Sequence, residues 1–348
     1  MRRLAVLLAL LCLLTGCGGP ASPADTSGFI TLSSEITELE PGLSAVRHEG
    51  DYGFDLFLEQ GGASSDKAVL GFLAENLLGE TGLQFGGSGF GCSTISVPNA
   101  EGGHYFGRNF DWNACDALVV ASYPDNGYAS ISTVNLDFIK QGAGLAAMLL
   151  PDEVLTVAAL YAPLDGMNER GLCVSVNMIQ DSATIHQDTG KPDITTTTAI
   201  RLLLDKAANV EEALDLLGQY DLHASMEYMI HFAMADSEGN SVAVEYVNNE
   251  MIVIDTPILT NYYLAEGNKQ GIGTEQSHER FELLREILKE TPTMTARQVR
   301  DTLDSVSKDN FGGFESTEWS IVFDQSALTA AYYHRENYET VYSFPLKP

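Results

Sequence analysis

The chain has 348 residues, 45% of them hydrophobic, enough material for one large domain or two modest ones with a real core. Its formal net charge is −29, from 19 basic and 48 acidic residues, so it lacks the basic patches that a phosphate backbone needs, which argues against nucleic acid as a partner. Seven histidines (His48, His104, His186, His223, His231, His278, His334) form no His-Glu-x-x-His motif and have no Cys-x-x-Cys partner, so neither a metal site nor a cofactor is expected.

Taken in chain order, residues 1–16 carry Arg2 and Arg3 and then an apolar run from Leu4 to Leu14. That run is shorter than the roughly 20 residues that span a bilayer, so it reads as the core of a signal peptide. Leu14-Thr15-Gly16-Cys17 resembles a bacterial lipobox, which makes Cys17 the expected lipidated first residue and the membrane anchor. Residues 17–28 read as a Pro/Ser/Ala-rich tether, and the whole start predicts an extracytoplasmic lipoprotein. Loss of Arg2 and Arg3 leaves 17 basic against 48 acidic residues, a net charge of −31.

Residues 29–91 read as a prosegment. Ile30, Leu32 and Ile36, then Phe54, Leu56 and Leu58, alternate in the manner of strands broken at Pro41-Gly42 and Gly61-Gly62. Ser65 and Asp66 open a helix in which Val69, Leu70, Phe72, Leu73, Leu77 and Leu78 recur at helical spacing. A run containing Gly86, Gly87, Gly89 and Gly91 then leads to Cys92, where the catalytic domain, 92–348, begins.

The texture beyond Cys92 predicts strands at 92–97, 104–110, 117–123, 128–135, 155–162 and 171–178, with Pro124-Asp125-Asn126-Gly127 the clearest hairpin turn. Helices are predicted at 195–207 and 210–218, strands at 228–236, 241–247 and 250–255, helices at 276–290 and 295–306, and closing strands at 318–324, 328–335 and 339–344. Strand, helix and strand blocks in succession indicate an α+β architecture with helices packed on antiparallel sheets.

Cysteine use singles out one thiol. Cys12 leaves with the signal peptide and Cys17 carries lipid, so Cys92, Cys115 and Cys173 remain, an odd and widely spaced set that suggests no disulfide framework. A thiol needs a base or a positive neighbour to become a nucleophile. Cutting the Gly91–Cys92 bond would free an α-amine with an ordinary pKa of about 7.7–8.0, a few bonds from the sulfur, so one residue would supply nucleophile and base. Arg108 would stabilise the thiolate, and Asp111 would hold the new ammonium. Spacing alone serves equally well a buried small hydrophobe beside an ordinary ion pair.

Six segments tip that balance: Gly91-Cys92-Ser93-Thr94-Ile95, Gly107-Arg108-Asn109-Phe110-Asp111-Trp112, Asp165-Gly166-Met167-Asn168-Glu169-Arg170-Gly171-Leu172, Val176-Asn177-Met178, Leu259-Thr260-Asn261 and Glu279-Arg280-Phe281. In type and order they resemble the choloylglycine hydrolases, the bile salt hydrolases and penicillin V acylases, with acid ceramidase as a distant relative. The resemblance covers roughly 92–348 and includes Trp319-Ser320-Ile321-Val322-Phe323-Asp324. It implies an N-terminal-nucleophile hydrolase: an αββα sandwich of two antiparallel sheets between helical layers, acting on linear amides. Carried over residue by residue, Cys92 is the nucleophile, Arg108 and Asp111 its activating and orienting partners, and Asn177 a donor to the oxyanion, while Asn261 and Arg280 complete the polar site. Unlike the compact bile salt hydrolases, this chain places a long segment ahead of the cysteine. A strained glycine turn at Gly91 would suit its removal, with the Cys92 thiol attacking the Gly91 carbonyl.

The expected activity is therefore that of a self-processing cysteine amidohydrolase that cleaves a small N-acyl amide through a thioester. Two alternatives stand beside it: transfer of the acyl group to an amine, and a lipoprotein that binds an acylated molecule without turnover. Phe110, Trp112, Tyr262 and Tyr263 would suit an apolar acyl group or, equally, the core. Tetramers are common in the resembled family, so a homo-oligomer is one expected state and the oligomeric state stays open.

Overall fold

A computed structural model describes residues 28–79, 81–87, 89–140, 150–308 and 315–346. The expected lipidated Cys17, the signal peptide and nearly all of the tether lie outside the described residues. The segment ahead of Cys92 opens with β1 (Thr37–Glu40) and β2 (Leu43–Glu49), an antiparallel pair turned at Pro41-Gly42, where Gly42 sits at φ 89°. Helices α1 (Phe54–Glu59) and α2 (Asp66–Leu73) follow, the second capped by Ser65, whose hydroxyl accepts from the Ala68 N–H. A π-helical turn, Ala74–Leu78, extends α2.

The strand expected around Phe54, Leu56 and Leu58 is helix α1. Phe54 and Phe57, three apart, are buried against Tyr161 while Leu56 is 41% exposed, so the helical face overrode the alternating pattern. The four strands predicted next are present as β3 (Gly91–Pro98), β4 (His104–Trp112), β5 (Ala117–Tyr123) and β6 (Ser130–Asn135), followed by the short helix α3 (Leu136–Lys140). The predicted strand 155–162 is instead helix α4 (Asp152–Leu160). Its residues from Leu155 to Leu160 are all buried, so no periodicity marked it, and the helix signal was Pro151 ahead of Asp152 and Glu153 in the first turn.

The expected strand 171–178 is β8 (Cys173–Met178), preceded by the unexpected β7 (Asp165–Asn168), and the short β9 (Asp193–Thr195) precedes helices α5 (Thr196–Lys206) and α6 (Val210–Leu217). After β10 (Asp221–His223) come β11 (Ile230–Ala235), β12 (Ser241–Val247), β13 (Glu250–Asp255) and the two-residue β14 (Ile258–Leu259). Helices α7 (Glu275–Glu290) and α8 (Ala296–Ser305) lead to β15 (Ser316–Asp324), β16 (Thr329–His334) and β17 (Tyr342–Pro345).

Two sheets form the body. One has nine strands in the order β1-β2-β5-β6-β7-β8-β11-β12-β13, antiparallel throughout except for the parallel β2–β5 pair; the other has six, β14-β3-β4-β15-β16-β17, all antiparallel. Helices α4 and α5 pack on the larger sheet, α7 and α8 on the smaller, and β3 faces β8 across the interior, giving the expected αββα layering. Alternation sorts the smaller sheet's side chains. Cys92, Phe106 and Phe110 join the inter-sheet core, whereas Ile95, Val97, Tyr105 and Val322 pack with Leu284, Val299 and Leu303 under α7 and α8.

The segment ahead of Cys92 belongs to this body. Leu43 to Glu49 pairs along its whole length with Ala117 to Tyr123, and Leu43, Ala45, Val46, Phe57, Val69 and Leu73 lie in the same core as Cys92.

Candidate active site

Cys92 is the second residue of β3, fully buried, with its side chain turned toward β8. Its thiol lies 3.6 Å from the Val176 carbonyl oxygen, and its backbone N–H donates to Asn261 Oδ1 at 2.8 Å. Burial pushes the thiol up to about 11, with the Arg108 guanidinium pulling it down and Asp111 adding to the rise. In the uncut chain the sulfur is therefore a protonated thiol at neutral pH.

Arg108, on β4 and fully buried, is held by three acceptors. Nε donates to Asp165 Oδ2 at 2.6 Å, and Nη1 donates to the Val176 carbonyl at 3.1 Å and to Asn177 Oδ1 at 3.2 Å. Its Nη2 has no hydrogen-bond partner among the described residues, which leaves charge to act on Cys92. Asp165 also accepts from Trp319 Nε1 at 3.0 Å, and that indole stacks on Phe110 with ring centroids 4.0 Å apart. Phe110 is thus core packing beneath the site.

Asp111 lies where β4 meets a bulge in β15, between Thr317 and Trp319, the kind of irregularity that re-aims side chains. Its Oδ1 accepts from Thr317 Oγ1 at 2.7 Å. Its Oδ2 has Arg280 Nη1 at 3.7 Å and Lys308 Nζ at 3.9 Å but no hydrogen bond among the described residues. Gly91 pairs with Asp111 across β3 and β4, and a Cβ on Gly91 would stand 2.9 Å from both Asp111 Oδ2 and Lys308 Nζ. Space is thus what requires glycine here. Gly86, Gly87, Gly89 and Gly91 are absent from the left-handed region, so the strained glycine turn expected at the junction is instead the regular start of a strand.

The two asparagines converge on the same point. Asn177 Nδ2 donates to the carbonyls of Leu259 and Thr260 at 3.3 and 3.2 Å, while its Oδ1 holds Arg108; in the uncut chain it is a strut whose amide hydrogens are already engaged. Asn261 donates through Nδ2 to the Met178 carbonyl at 2.7 Å, and its second amide hydrogen has no acceptor among the described residues. Helix α7 fixes this corner. The Ser277 hydroxyl accepts the Asn261 N–H at 2.6 Å, and one turn on, Arg280 donates to the Cys92 carbonyl and Ser93 Oγ at 2.6 Å each and to Asn261 Oδ1 at 2.9 Å. The short spacing from Asn261 to Arg280 is accommodated because the start of α7 folds back onto Asn261, whose N–H bonds Ser277 and whose Oδ1 bonds Arg280.

All six residues singled out in the sequence therefore meet around Cys92. The structure adds Asp165, Trp319, Thr317 and Lys308, which hold or face Arg108 and Asp111. Asp165 and Trp319 both stand inside quoted motif segments, whereas nothing in the sequence marked Thr317 or Lys308. Among the described residues no group of three or more His, Cys, Asp or Glu side chains is placed to hold a metal ion.

Layering and site together define an N-terminal-nucleophile hydrolase fold, that of linear amide hydrolases and acyltransferases. The chain belongs to the family described as acyl-coenzyme A:6-aminopenicillanic acid acyl-transferase, whose model matches residues 155–338, more than half of its length. Two solved structures of mutant conjugated bile acid hydrolase from Clostridium perfringens superpose with a TM-score of 0.54 each, at 16% and 14% identity, covering 73% of this chain and 92% of theirs. Penicillin V acylase from Agrobacterium tumefaciens aligns with a TM-score of 0.48 at 17% identity, covering 70% of this chain and 83% of that one. No match was found among curated proteins.

Proposed function

We propose that the protein is a self-processing cysteine amidohydrolase: Cys92 is released by cleavage after Gly91, attacks the carbonyl of a linear N-acyl amide, and forms a thioester that water resolves. The observation that carries this reading is convergence on one buried thiol and its backbone nitrogen. Arg108 faces the sulfur, Asn261 Oδ1 already holds the nitrogen that would become the amine, and Asp111 Oδ2 lies beside the junction with no hydrogen bond among the described residues. Freed from Gly91, the amine becomes the base that the uncut chain lacks, so a thiol held near 11 becomes a usable nucleophile. Asn261, with one amide hydrogen in hand, is the side-chain donor for the oxyanion, and Asn177 acts through Arg108.

Intact mass and N-terminal sequencing of wild type and Cys92→Ala test the reading. Wild type should give a fragment that begins at Cys92, and the variant should stay one chain; an uncut, active wild type would sink the N-terminal-base mechanism. Hydrolysis would then be read from N-acyl amides by mass spectrometry, with rate rising toward neutral pH as the α-amine deprotonates. A second reading, transfer of the acyl group to an amine, is supported by the name of the matched family. Adding a free amine to the same assay separates the two by product mass. The further proposal that Cys17 carries a lipid anchor and places the enzyme outside the cytoplasm rests on the leader pattern, and globomycin-sensitive membrane fractionation tests it.

A further inference from the structure

The polar groups at the Gly91–Cys92 bond divide into two sets. On the amine side, Arg280 and Asn261 are committed to the Cys92 carbonyl, Ser93 Oγ and the Cys92 N–H. On the acyl side stands Lys308, which none of these contacts uses. Its side chain is 8% exposed, its Nζ lies 3.9 Å from Asp111 Oδ2, and a Cβ on Gly91 would be 2.9 Å from that nitrogen. Thr317 sets the position. Its hydroxyl accepts the Lys308 N–H at 2.8 Å and donates to Asp111 Oδ1 at 2.7 Å, and its own N–H donates to the Lys308 carbonyl at 3.1 Å. Of the three ammonium hydrogens, one is taken by Glu315, the only hydrogen-bond acceptor of Nζ among the described residues.

Resting on the reading that Cys92 is freed by self-cleavage, we propose that Lys308 is a residue of that cleavage: its ammonium stabilises the oxyanion formed on the Gly91 carbonyl and, together with Arg280, neutralises Asp111 until the new amine of Cys92 appears. The thiol proton passes to the amide nitrogen as sulfur bonds to the Gly91 carbonyl carbon and the C=O pair moves onto oxygen. Collapse of that intermediate breaks the C–N bond and leaves Gly91 joined to sulfur as a thioester. Water then adds to the thioester, the C–S bond breaks, Gly91 departs as a carboxylate and the thiol regains a proton. Negative charge on the Gly91 oxygen develops at the first step, and Lys308, a cation with spare donors, stands beside the α-carbon of that same residue. Once the cut is made, Asp111 has an ammonium on Cys92 as a partner, and the task of Lys308 is finished.

Cell-free synthesis of wild type, Lys308→Met and Lys308→Arg, followed over time by intact mass, tests the proposal. Lys308→Met should slow appearance of the fragment beginning at Cys92 by about 10²–10³-fold, the effect of losing one oxyanion donor. Lys308→Arg, which keeps the charge, should cleave within about tenfold of wild type. Hydroxylamine added during the time course should trap Gly91 as a hydroxamate in wild type and leave little in Lys308→Met, since the block falls before the thioester. Cooperative melting of each uncut chain verifies folding, and Lys308→Gln replaces Lys308→Met if the latter does not melt cooperatively. Equal rates for wild type and Lys308→Met, or an Arg variant as slow as the Met variant, would overturn the role of Lys308 alone. A wild type that never cleaves would overturn the self-cleavage reading beneath it.

Discussion

Residues 43–73 and residues 81–90 precede the same cysteine, yet they are held in opposite ways. The first stretch forms seven residues of parallel ladder with β5 and sinks Leu43, Val46 and Phe57 into the main core, where Phe57 meets Tyr161 at 5.6 Å. Among its described residues the second has no helix or strand. Among the described residues, hydrogen bonds tie its backbone to neighbouring elements from Gln84 N–H to the Ile139 carbonyl, from Gly86 N–H to the Phe138 carbonyl, and from the Tyr228 hydroxyl to the Gly87 carbonyl. Burial of apolar surface scales with area, so the first stretch is bound as firmly as a domain's own strands, while the second is held by fewer side chains, chiefly Leu83 and Phe90 in the same core. Cleavage after Gly91 would therefore keep residues 43–73 as a subunit and leave the shorter stretch as the weaker attachment.

That contrast sets out what should be seen. The largest effect is expected from removing residues 29–82, which takes away an edge of the nine-stranded sheet; the chain starting at Leu83 should fail to fold, whereas after cleavage of the full chain both pieces should co-elute on gel filtration until denaturant is added. Leu43→Ala follows, at about 2–5 kcal/mol of lost stability in denaturant melts, the usual cost of a cavity at a fully buried leucine. Tyr228→Phe, which removes one of the shorter stretch's bonds, should cost about 0.5–1.5 kcal/mol or less, and the same melts would contradict the contrast if it matched Leu43→Ala.

Smallest is the ion pair between Asp55 of α1 and Lys206 of α5, at 2.7 Å. Burial is the largest single influence on the Asp55 carboxyl and raises it, but Lys206 and Asn126 together more than offset it and hold the group below its ordinary 3.8. A carboxyl lowered on folding adds stability above its unfolded value, lost as pH falls through the folded one, so this contribution should fade below about pH 4. The pair is partly exposed and screened by solvent, and Asp55→Asn should cost no more than about 0.2–1 kcal/mol near neutral pH, measured as a loss that vanishes in acid.

Much of the site was legible in the chain because its residues stand at strand positions within short, distinctive runs. Cys92, Arg108, Asp111, Asn177, Asn261 and Arg280 all came from such runs, and so did β5, β12 and β13, whose bounds agree residue for residue with the expectation. The failures share one physical cause. Phe54–Glu59 and Asp152–Leu160 are short apolar helices, and over six to nine residues an apolar run reads alike as strand or helix until the neighbouring surface chooses a face. Lys308 and Thr317 were invisible for a different reason: their relation to Asp111 exists because β15 lies beside β4, more than 200 residues apart in sequence for Thr317.

Returning to the glycines before Cys92, the sequence by itself determined that something small must lie there, and tertiary structure decided why. No unusual dihedral calls for glycine at Gly91; the approach of Asp111 and Lys308 does. Local pattern reports on local energies, the periodicity of burial and the residues a turn or cap accepts, so it fixed the α+β order and the candidate chemistry. Which face of the segment 43–73 is buried, which cation flanks the scissile bond and which asparagine retains a free hydrogen all depend on partners distant in the chain, and only packing brings those partners within hydrogen-bond reach.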